Sequence, residues 1–376
     1  MKIFISSQLF YPSKLGGPAN AVYWLAKALV KSGHQVSVVT THISVNNAVP
    51  TDEWITLDGI RVIYCSGKGF PYINIIKTSY SEIKTADIVL LTSVCYKPEI
   101  ILAQSAIKLG KPVVWSPRGE FSKSAINNRA DKKIFFSFIK KFLVSKISIH
   151  VTSEAERDDA RSVLGGKVNT LLIPNYMELP QPVLPSVSED QYLLFLGRIA
   201  PIKALDKLIK GVALSQKFRQ SSVKLKIVGV QESQFKDYYL KLSDLINSNG
   251  LADKVSFEAP LFGEDKFKAL CSALFLVLVS ESENFGNVVI EALSQSTPVI
   301  SSHGTPWEIL EEANAGYWID NTPESIAKTI DKVLELDNTD YSQMRLNASN
   351  LAKSFDIYEN IEQWNNALDI IHKHKK

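Results

Sequence analysis

Residues 273–293, ALFLVLVSESENFGNVVIEAL, join a predicted buried strand to a predicted helix through a turn. The apolar run at the start is typical of a buried strand, and the spacing of apolar residues after the turn is typical of a helix. Glu283 lies before that helix, whereas Glu291 lies among apolar helical residues, where an unpaired carboxylate would be costly. The backbone N–H groups of residues 285–287 lie at the helix N-terminus, which favours an anion such as a phosphate. The stretch therefore predicts a ligand site at the end of a strand. The alternative is an amphipathic helix whose glutamates face solvent.

Short apolar strands alternate with helical patterns along the chain, which predicts an α/β protein with parallel, doubly wound sheets. Several prolines indicate a linker over residues 179–190. We therefore expect two Rossmann-like domains, residues 1–178 and 191–356. The helical segment 357–376 is followed by no predicted strand, and we expect it to pack back on the first domain. The predicted strands cover residues 2–7, 35–40, 61–65, 88–92, 112–116, 147–152, 192–197, 225–229, 255–257, 274–279, 298–301 and 316–319.

The composition limits the classes of protein that this chain can represent. Its 376 residues are many for one compact core, and 45% hydrophobic with 22% charged residues is typical of a soluble globular protein. The formal charge of +3 is too small to indicate nucleic-acid binding. No apolar run approaches the roughly 18 to 20 residues that cross a bilayer, and the N-terminus does not resemble a signal peptide. Cys65, Cys95 and Cys271 lie far apart and predict reduced thiols, so we expect a cytoplasmic protein.

One strand of the second predicted domain ends in cations instead of apolar residues. Residues 197–203, GRIAPIK, place Arg198 and Lys203 close after this strand. Two fixed cations can neutralise a diphosphate leaving group, and the chain has no Asp-x-Asp sequence that would hold a divalent metal for that purpose. An ordinary basic loop is the alternative. Gly16 and Gly17 follow the first predicted strand, where glycine permits a close approach to a phosphate but equally permits a simple turn.

The glutamate spacing and the cationic loop resemble the retaining nucleotide-sugar glycosyltransferases of family 4, whose signature is two glutamates separated by seven residues. The resemblance covers nearly the whole chain. It implies the GT-B fold, in which two Rossmann-like domains face a central cleft. It also implies transfer of a hexose-type sugar, without metal or cofactor, from a nucleotide-diphosphate sugar such as a UDP-sugar to a glycan or polyprenyl-linked acceptor. Products of this class include lipopolysaccharide, O-antigen and capsule.

Three other functions fit parts of this pattern. A nucleotide-sugar 2-epimerase would share the architecture but need no acceptor. A glycan-binding homologue would lack catalysis, although the intact charged residues argue against it. A two-lobed solute-binding protein would be exported, which the N-terminal sequence does not favour.

The resemblance assigns roles to single residues of the second predicted domain. Glu291 would hold the ribose hydroxyls. Glu283 would hold the sugar, together with backbone amides of residues 285–287. Arg198 and Lys203 would stabilise the departing diphosphate. The implied catalytic residues are Arg198, Lys203 and Glu283, and the implied donor-binding residues are Gly16, Gly17, Arg118, Phe285, Gly286, Asn287 and Glu291.

Two positions depart from the family pattern. Arg118 lies in the sequence Ser-Pro-Arg-Gly after a predicted strand, near a place where many family members carry a histidine. Its role as a donor ligand is implied by the resemblance, and a structural salt bridge is the alternative. Ala204 follows Lys203 at a position where the family commonly has glycine.

Two further sequences predict helix caps. Residues 152–156, TSEAE, combine a capping hydroxyl with early acids, which stabilise a helix N-terminus without any catalytic role. Residues 305–308, TPWE, have the form of a capping box with proline at the first helical position.

Residues 128–146 interleave lysines with aromatic residues. On a helix, Lys133 and Lys140 fall near one face, so basic and aromatic side chains could lie along an anionic membrane. This interpretation predicts peripheral contact with the inner face of the cytoplasmic membrane. A core helix with a solvated lysine face is the alternative.

Overall fold

The structure is a computed structural model that describes residues 1–13, 17–46, 48–66, 72–126, 130–184 and 191–373. The chain forms two compact units. The first comprises Met1–Glu178 and Asp356–Lys376, and the second comprises Leu179–Phe355. Gly16, a predicted donor ligand, lies outside the described residues. So do parts of the predicted membrane segment, linker and C-terminal helix, namely residues 128–129, 185–190 and 374–376.

The first unit contains an eight-stranded sheet. Its strands are β1 (Lys2–Ser7), β2 (Gln35–Thr41), β3 (Trp54–Leu57), β4 (Ile60–Cys65), β5 (Ile88–Thr92), β6 (Val113–Ser116), β7 (Ser148–Val151) and β8 (Thr170–Leu172). The strand order is β3-β4-β2-β1-β5-β6-β7-β8, and all neighbours run parallel except β3 and β4. Every residue of β5 and β6 is buried, as expected of parallel strands covered on both faces. The helices before its last strand are α1 (Gly17–Lys31), α2 (Ile73–Thr85), α3 (Lys97–Lys108), α4 (Lys123–Ile126), α5 (Ala130–Phe142) and α6 (Glu154–Leu164).

An antiparallel hairpin of β3 and β4 forms the edge of this sheet. Its two turn residues, Asp58 and Gly59, have φ angles of 48° and 79°, as a tight hairpin turn of the primed type requires. A Cβ atom at Gly59 would lie 2.8 Å from Cγ1 of Val30 on α1. The Tyr23 hydroxyl, also on α1, donates a short hydrogen bond to Asp58. The turn is therefore fixed against the first helix.

The second unit contains a six-stranded parallel sheet. Its strands are β9 (Tyr192–Leu196), β10 (Lys224–Val228), β11 (Val255–Glu258), β12 (Phe275–Leu278), β13 (Val299–Ser302) and β14 (Gly316–Ile319). The order β11-β10-β9-β12-β13-β14 is the doubly wound arrangement of dinucleotide-binding domains. The helices are α7 (Leu205–Leu214), α8 (Gln216–Gln220), α9 (Lys236–Ser248), α10 (Gly263–Ser272), α11 (Asn287–Ser294), α12 (Ile309–Glu312), α13 (Pro323–Leu334) and α14 (Asn338–Lys353).

The strand order of the second sheet reverses between β9 and β12. The two strands are hydrogen-bonded neighbours, with Leu194 opposite Leu276. The chain continues from β9 to β10 on one side and from β12 to β13 on the other. In open parallel sheets, ligands bind in the crevice at the carboxyl ends of such a pair. The loops that follow β9 and β12 are therefore where a ligand site is expected.

The last helix, α15 (Ile357–Lys373), belongs to the first unit. The Ile357 N–H donates to the Met177 carbonyl at 3.0 Å, and the Trp364 ring lies 4.6 Å from that of His150 on β7. Residues 179–184 lie inside the predicted linker but belong to the second unit, where the Val183 N–H donates to the side chain of Gln295 at 2.9 Å. Of the helices that the structure describes, none combines the length and apolar character needed to span a membrane.

Candidate active site

Lys203 and Glu283 form a close ion pair at the point where the second sheet reverses its order. Lys203 ends a short 3₁₀ turn after β9, and Glu283 lies in the loop after β12. Their side chains are only 13% and 19% exposed. The Ser280 hydroxyl donates to the same carboxylate oxygen at 3.3 Å. Two residues that were predicted to be catalytic are thus in direct contact.

Backbone hydrogen bonds hold these two loops together. The Glu281 N–H donates to the Ile202 carbonyl at 2.9 Å, which ties the loop after β12 to the 3₁₀ turn. The Glu283 N–H donates to the Gly304 carbonyl at 2.8 Å. The position of the Glu283 carboxylate is therefore set by three segments, which follow β9, β12 and β13 in turn.

Gly286 provides the turn from this loop into α11. Its φ of 82° is left-handed, and a Cβ atom there would lie 3.1 Å from Leu278 and 3.2 Å from Cγ of Glu283. Phe285 is buried, with its ring packed edge-on against Trp307 at 5.2 Å. The Trp307 indole also donates to the Phe285 carbonyl. Asn287 is the first residue of α11. Only the backbone of Phe285 and Gly286 can therefore serve a ligand here.

The predicted capping box at residues 305–308 is wrong. The helix begins later, at Ile309, and Glu308 makes no side-chain cap. The Thr305 hydroxyl is instead bonded to the Ser302 carbonyl at 2.8 Å and to the Ser301 hydroxyl at 2.7 Å. The Thr305 hydroxyl therefore closes the loop after β13, although the sequence pattern assigned it to the N-terminus of the helix.

Arg198 differs from Lys203 in that it is only loosely held. Its side chain is 60% exposed, and its nearest carboxylate is that of Glu232, 3.7 Å from Nη1. It follows β9 directly after Gly197, so it lies in the same loop as Lys203. A cation in this state can reorient towards a ligand at little cost in folding free energy.

Glu291 lies on α11 and is 6% exposed. Its Oε1 atom is 2.6 Å from Nζ of Lys266, which lies on α10. This pairing removes the cost that an isolated buried carboxylate would carry. Sequence reasoning required a partner for Glu291 but missed Lys266, because the packing of α10 on α11 brings the two together.

Ala204 has a left-handed backbone, with φ of 51°, at the start of α7. Glycine adopts this conformation freely, whereas a Cβ atom costs about 1 kcal/mol or more. A glycine at this position would therefore adopt the turn at a lower conformational cost. Ala204 itself is 1% exposed and keeps the turn.

Arg118 lies in the first unit, in the loop after β6. Its φ of 50° is left-handed, and its Nη1 atom is 3.5 Å from Oδ1 of Asn175. Its buried Nε atom has no hydrogen-bond partner among the described residues. Burial lowers the pKa of Arg118 to about 10, while the nearby Glu156 opposes this shift. The side chain lines a cavity of about 10 Å³, the space of one water molecule, together with His150, Tyr176 and Trp364.

His150 contributes to this loop and was not found from the sequence. Its Nε2 donates to the Ile173 carbonyl at 2.9 Å, so its Nδ1 accepts from the Ser116 hydroxyl at 2.6 Å. Burial, aided by the charge of Arg118, lowers the pKa of His150 to about 3. The imidazole is therefore neutral near pH 7 and positions the loop instead of exchanging protons.

Glu156 supports the same loop from the start of α6. Its carboxylate accepts from the Gly119 N–H and the Thr152 N–H, each at 2.7 Å. Burial raises the pKa of Glu156, and these hydrogen bonds together with Arg118 oppose that rise. Ser153 caps α6 as the sequence predicts, by accepting from the Glu156 N–H. The carboxylate of Glu156 thus holds the loop after β6 in place, a role that the local sequence pattern does not predict.

The other predicted residues separate by unit. Gly17 is the first residue of α1, in the first unit with Arg118. Lys203, Glu283 and Glu291 lie in the second unit. The described ranges contain no cluster of three or more His, Cys, Asp or Glu side chains arranged to hold a metal.

Two family profiles match consecutive parts of this chain. "Glycosyltransferase Family 4" matches residues 15–179, and "Glycosyl transferases group 1" matches residues 179–353. The chain belongs to the group 1 glycosyltransferases. This glycosyltransferase is 31% identical over 189 residues to an uncharacterised glycosyltransferase of Methanocaldococcus jannaschii, a match that covers 50% of the chain and 45% of the relative. The chain thus spans less than half the length of this curated relative.

Solved structures show the same fold for this glycosyltransferase. HepE of Anabaena, in complex with UDP and glucose, superimposes with a TM-score of 0.79 at 18% identity, covering 98% of this chain and 100% of HepE. WaaG, a glycosyltransferase involved in lipopolysaccharide biosynthesis, gives a TM-score of 0.67 at 15% identity, covering 98% and 99%. The predicted α/β architecture of the GT-B type, with two Rossmann-like sheets, is confirmed.

Proposed function

We propose that this glycosyltransferase moves a hexose from a UDP-sugar to a glycan or polyprenyl-linked acceptor, with retention of the anomeric configuration and without a metal. The observation that carries this proposal is the contact between Lys203 and Glu283 at the reversal point of the second sheet. In this proposal Lys203 is the cation that meets the diphosphate and Glu283 beside it is the carboxylate that meets the sugar, at the position where open sheets bind ligands.

The two charged groups have capacity left for a ligand. A lysine ammonium has three N–H donors, and the described contacts of Lys203 use one of them, towards Glu283. The other two suit phosphate oxygens. Arg198 supplies a second cation from the same loop, and the N-terminus of α11 adds a favourable dipole. The carboxylate of Glu283 keeps lone pairs for sugar hydroxyls.

The proposed step is a front-face displacement. The bond from the sugar C1 to the diphosphate oxygen breaks, and the acceptor oxygen bonds to C1 on the same face. The acceptor's hydroxyl proton passes to the departing diphosphate. Lys203 and Arg198 stabilise the charge that develops on this leaving group, which is the function a metal ion would otherwise serve. Glu283 is engaged by Lys203 and Ser280, and in this scheme it binds the sugar and does not attack C1.

The comparisons support the choice of donor and acceptor. HepE is described with UDP and glucose, which favours a UDP-hexose donor. WaaG acts in lipopolysaccharide biosynthesis, which favours a surface glycan as acceptor. Both assignments remain proposals for this chain.

The helix α5 supports a further part of the proposal, peripheral contact with an anionic membrane. Ile134, Phe138 and Phe142 lie four residues apart along it, and Ile134 and Phe142 are 74% and 50% exposed. The rings of Phe138 and Phe142 lie 4.9 Å apart, and Nζ of Lys141 lies 5.2 Å from the Phe142 ring. A solvated lysine face does not account for these exposed apolar side chains, whereas a membrane surface does.

The catalytic part of the proposal is tested by sugar transfer. UDP-, GDP- and ADP-sugars are first screened by thermal shift, because a bound donor stabilises the protein. Lys203→Ala and Glu283→Ala are then compared with the control Lys207→Ala. Lys207 lies 2.6 Å from Glu281 in the same unit, and this ion pair is more exposed than that of Lys203 and Glu283. We expect losses on the order of 100-fold or more in kcat for the first two variants and little change for the control.

Three outcomes would contradict the catalytic proposal. Transfer rates near wild type in both folded variants would remove Lys203 and Glu283 from the mechanism. An inverted anomeric product, read by NMR, would rule out front-face displacement. Release of nucleotide and an altered sugar without any acceptor would indicate an epimerase instead.

Membrane contact is tested by sedimentation with phosphatidylserine vesicles. Neutralising Lys133, Lys140 and Lys141 together should weaken binding, as should high salt, because the attraction is electrostatic. Lys132 is left intact because it donates to the Ala125 carbonyl at 2.9 Å. Neutralising three exposed lysines elsewhere in the first unit gives the control: Lys84, Lys97 and Lys108. Equal binding by both triple variants would contradict the contact.

A further inference from the structure

Two ion pairs stand apart among those of the described residues. In both, each partner has a side chain less than one-fifth exposed: Lys203 with Glu283, and Lys266 with Glu291. Every other described pair has at least one partner above that level. Each of the two signature glutamates therefore has its own lysine partner that is less than one-fifth exposed.

The second of these pairs links two helices. Lys266 lies on α10 with its Nζ atom 2.6 Å from Oε1 of Glu291 on α11, and the two side chains are 17% and 8% exposed. The Lys266 ammonium also lies 4.9 Å from the centre of the Phe267 ring. The carboxylate of Glu291 is thus held by a group on a neighbouring element, not by its own helix.

Stability alone gives a weak reason for this pair. Removing two charges from water is costly, and apolar replacements for buried pairs are often neutral or stabilising. A carboxylate offers about four lone-pair positions, and Lys266 occupies one of them. The remaining positions suit two vicinal hydroxyls, such as those of a ribose.

We propose that Lys266 is a positioning residue for the nucleotide sugar. It fixes the Glu291 carboxylate so that the ribose hydroxyls can bond to it, and it thereby sets a preference for ribonucleotides over 2′-deoxyribonucleotides. This inference rests on the proposed nucleotide-sugar function and on the ribose role of Glu291. A fixed, buried acceptor discriminates well because a ligand lacking the hydroxyl leaves it unpaired. Without its lysine, the carboxylate is no longer fixed.

The experiment measures binding by isothermal titration calorimetry of the full chain with UDP and with 2′-deoxy-UDP. GDP or ADP and the matching deoxy forms replace them if one of these binds more tightly. We expect the wild type to prefer the ribonucleotide by roughly tenfold or more, as for a hydrogen bond to a charged group. Lys266→Met should weaken ribonucleotide binding about tenfold and deoxynucleotide binding clearly less, because the deoxynucleotide keeps only its 3′-hydroxyl to bond to Glu291. Lys266→Arg keeps the charge and should keep much of the preference.

A matched control lies on the same helix. Lys268 pairs with Glu264 at 2.8 Å, but its side chain is 44% exposed and that of Glu264 is 70% exposed. Lys268→Met should bind both nucleotides as the wild type does. Circular dichroism melting checks that each variant is folded at the titration temperature, and Lys266→Gln replaces Lys266→Met if the latter is not.

The possible outcomes separate this inference from the proposed function. If the wild type binds none of UDP, GDP and ADP, the proposed function fails, and this inference fails with it. If Glu291→Gln abolishes the ribose preference but Lys266→Met retains it, only the role of Lys266 is overturned. Equal weakening of both nucleotides by Lys266→Met would indicate a purely structural pair and would also overturn it. Loss of the preference in both variants supports it.

Discussion

The loop after β9 in the second unit and the loop after β6 in the first unit each carry a predicted functional cation. In the second unit, Lys203 is compensated by the carboxylate of Glu283 in direct contact. In the first unit, Arg118 is surrounded mainly by neutral groups, among them His150 and Asn175. The nearby Glu156 accepts hydrogen bonds from backbone N–H groups instead.

The presence or absence of a directly paired carboxylate determines what each loop can do. Lys203 and Glu283 are paired but keep unused donor and acceptor positions, which an anionic ligand can occupy. The loop after β9 therefore suits transfer chemistry. The Arg118 guanidinium is buried among mainly neutral groups, so we expect it to stabilise the structure of its own loop. We therefore expect replacement of the exposed Arg198 in the second unit to reduce activity at constant stability, and replacement of the buried groups around Arg118 in the first unit to reduce stability.

Outside the Lys203–Glu283 pair, the largest expected effect concerns Arg198. Arg198→Met should lower kcat by about 100-fold, because one of two cations for the leaving group is lost. The thermal midpoint should hardly change, since the side chain is 60% exposed and loosely paired. Arg161→Met is the control, because Arg161 is 47% exposed and lies 3.8 Å from its partner. A kcat for Arg198→Met within about threefold of the wild-type value would contradict the expected role of Arg198.

The next effect is expected in the first unit. Glu156→Ala leaves the Gly119 and Thr152 N–H groups without their acceptor, which should cost about 2 to 4 kcal/mol in the free energy of unfolding. The thermal midpoint should fall by several degrees. Glu154→Ala, two residues earlier at a 65% exposed side chain, should leave the midpoint almost unchanged. Equal midpoints for the two variants would contradict the assigned role of Glu156.

A pH dependence follows from a contrast between two buried glutamates. Glu291 is paired with a lysine, whereas Glu99 on α3 is fully buried and forms no ion pair with a described residue, and only the Ser6 hydroxyl opposes the rise of its pKa. Burial raises the pKa of Glu99 well above its usual value. Above the unfolded pKa of about 4.3, the unfolded chain releases a proton that the folded protein keeps. Wild-type stability should therefore fall as pH rises, by at most about 1.4 kcal/mol per pH unit.

Glu99→Gln should lack this contribution. Thermal midpoints of variant and wild type, measured from pH 4 to pH 8, should diverge in favour of the variant as pH rises. All other titrating groups are common to both proteins, so the difference isolates Glu99. Parallel curves would show that Glu99 has an ordinary pKa.

The smallest expected effect is at Ala204. Ala204→Gly relieves the left-handed backbone and should stabilise the protein by about 1 kcal/mol or less, because part of the gain is offset by the greater freedom of glycine in the unfolded chain. Ala200 is equally buried but has an extended backbone, with φ of −142°. Ala200→Gly should therefore destabilise the protein. Opposite signs for the two variants in urea unfolding would support this account, and equal signs would contradict it.

The alternation of strands and helices was enough to predict the α/β fold, because parallel strands covered on both faces leave a strong apolar signal. Two strands were missed. β8 has only three residues, and β3 belongs to a hairpin whose Asp58-Gly59 turn is a recognisable signal that was not used. The turn sequence would have predicted β3 but not β8.

The candidate site was predictable where it depends on the order of elements. Lys203 and Glu283 each follow a strand, and the doubly wound order brings those two strand ends together. Lys266 and His150 could not be predicted in this way, because helix packing or side-chain networks bring them to their partners. The capping box at residues 305–308 was wrong because a competing hydrogen bond within the loop used the Thr305 hydroxyl.

The central claim, that Lys203 and Glu283 act as one unit in sugar transfer, is tested most directly by a double-mutant cycle. Lys203→Ala, Glu283→Ala and the double variant are assayed for kcat/KM with the UDP-hexose that the wild type uses. We expect each single change to cost roughly 100-fold or more and the double change to cost little beyond either one, because residues that act together are not additive. Fully additive losses, or single variants that are folded and nearly as active as the wild type, would contradict the claim.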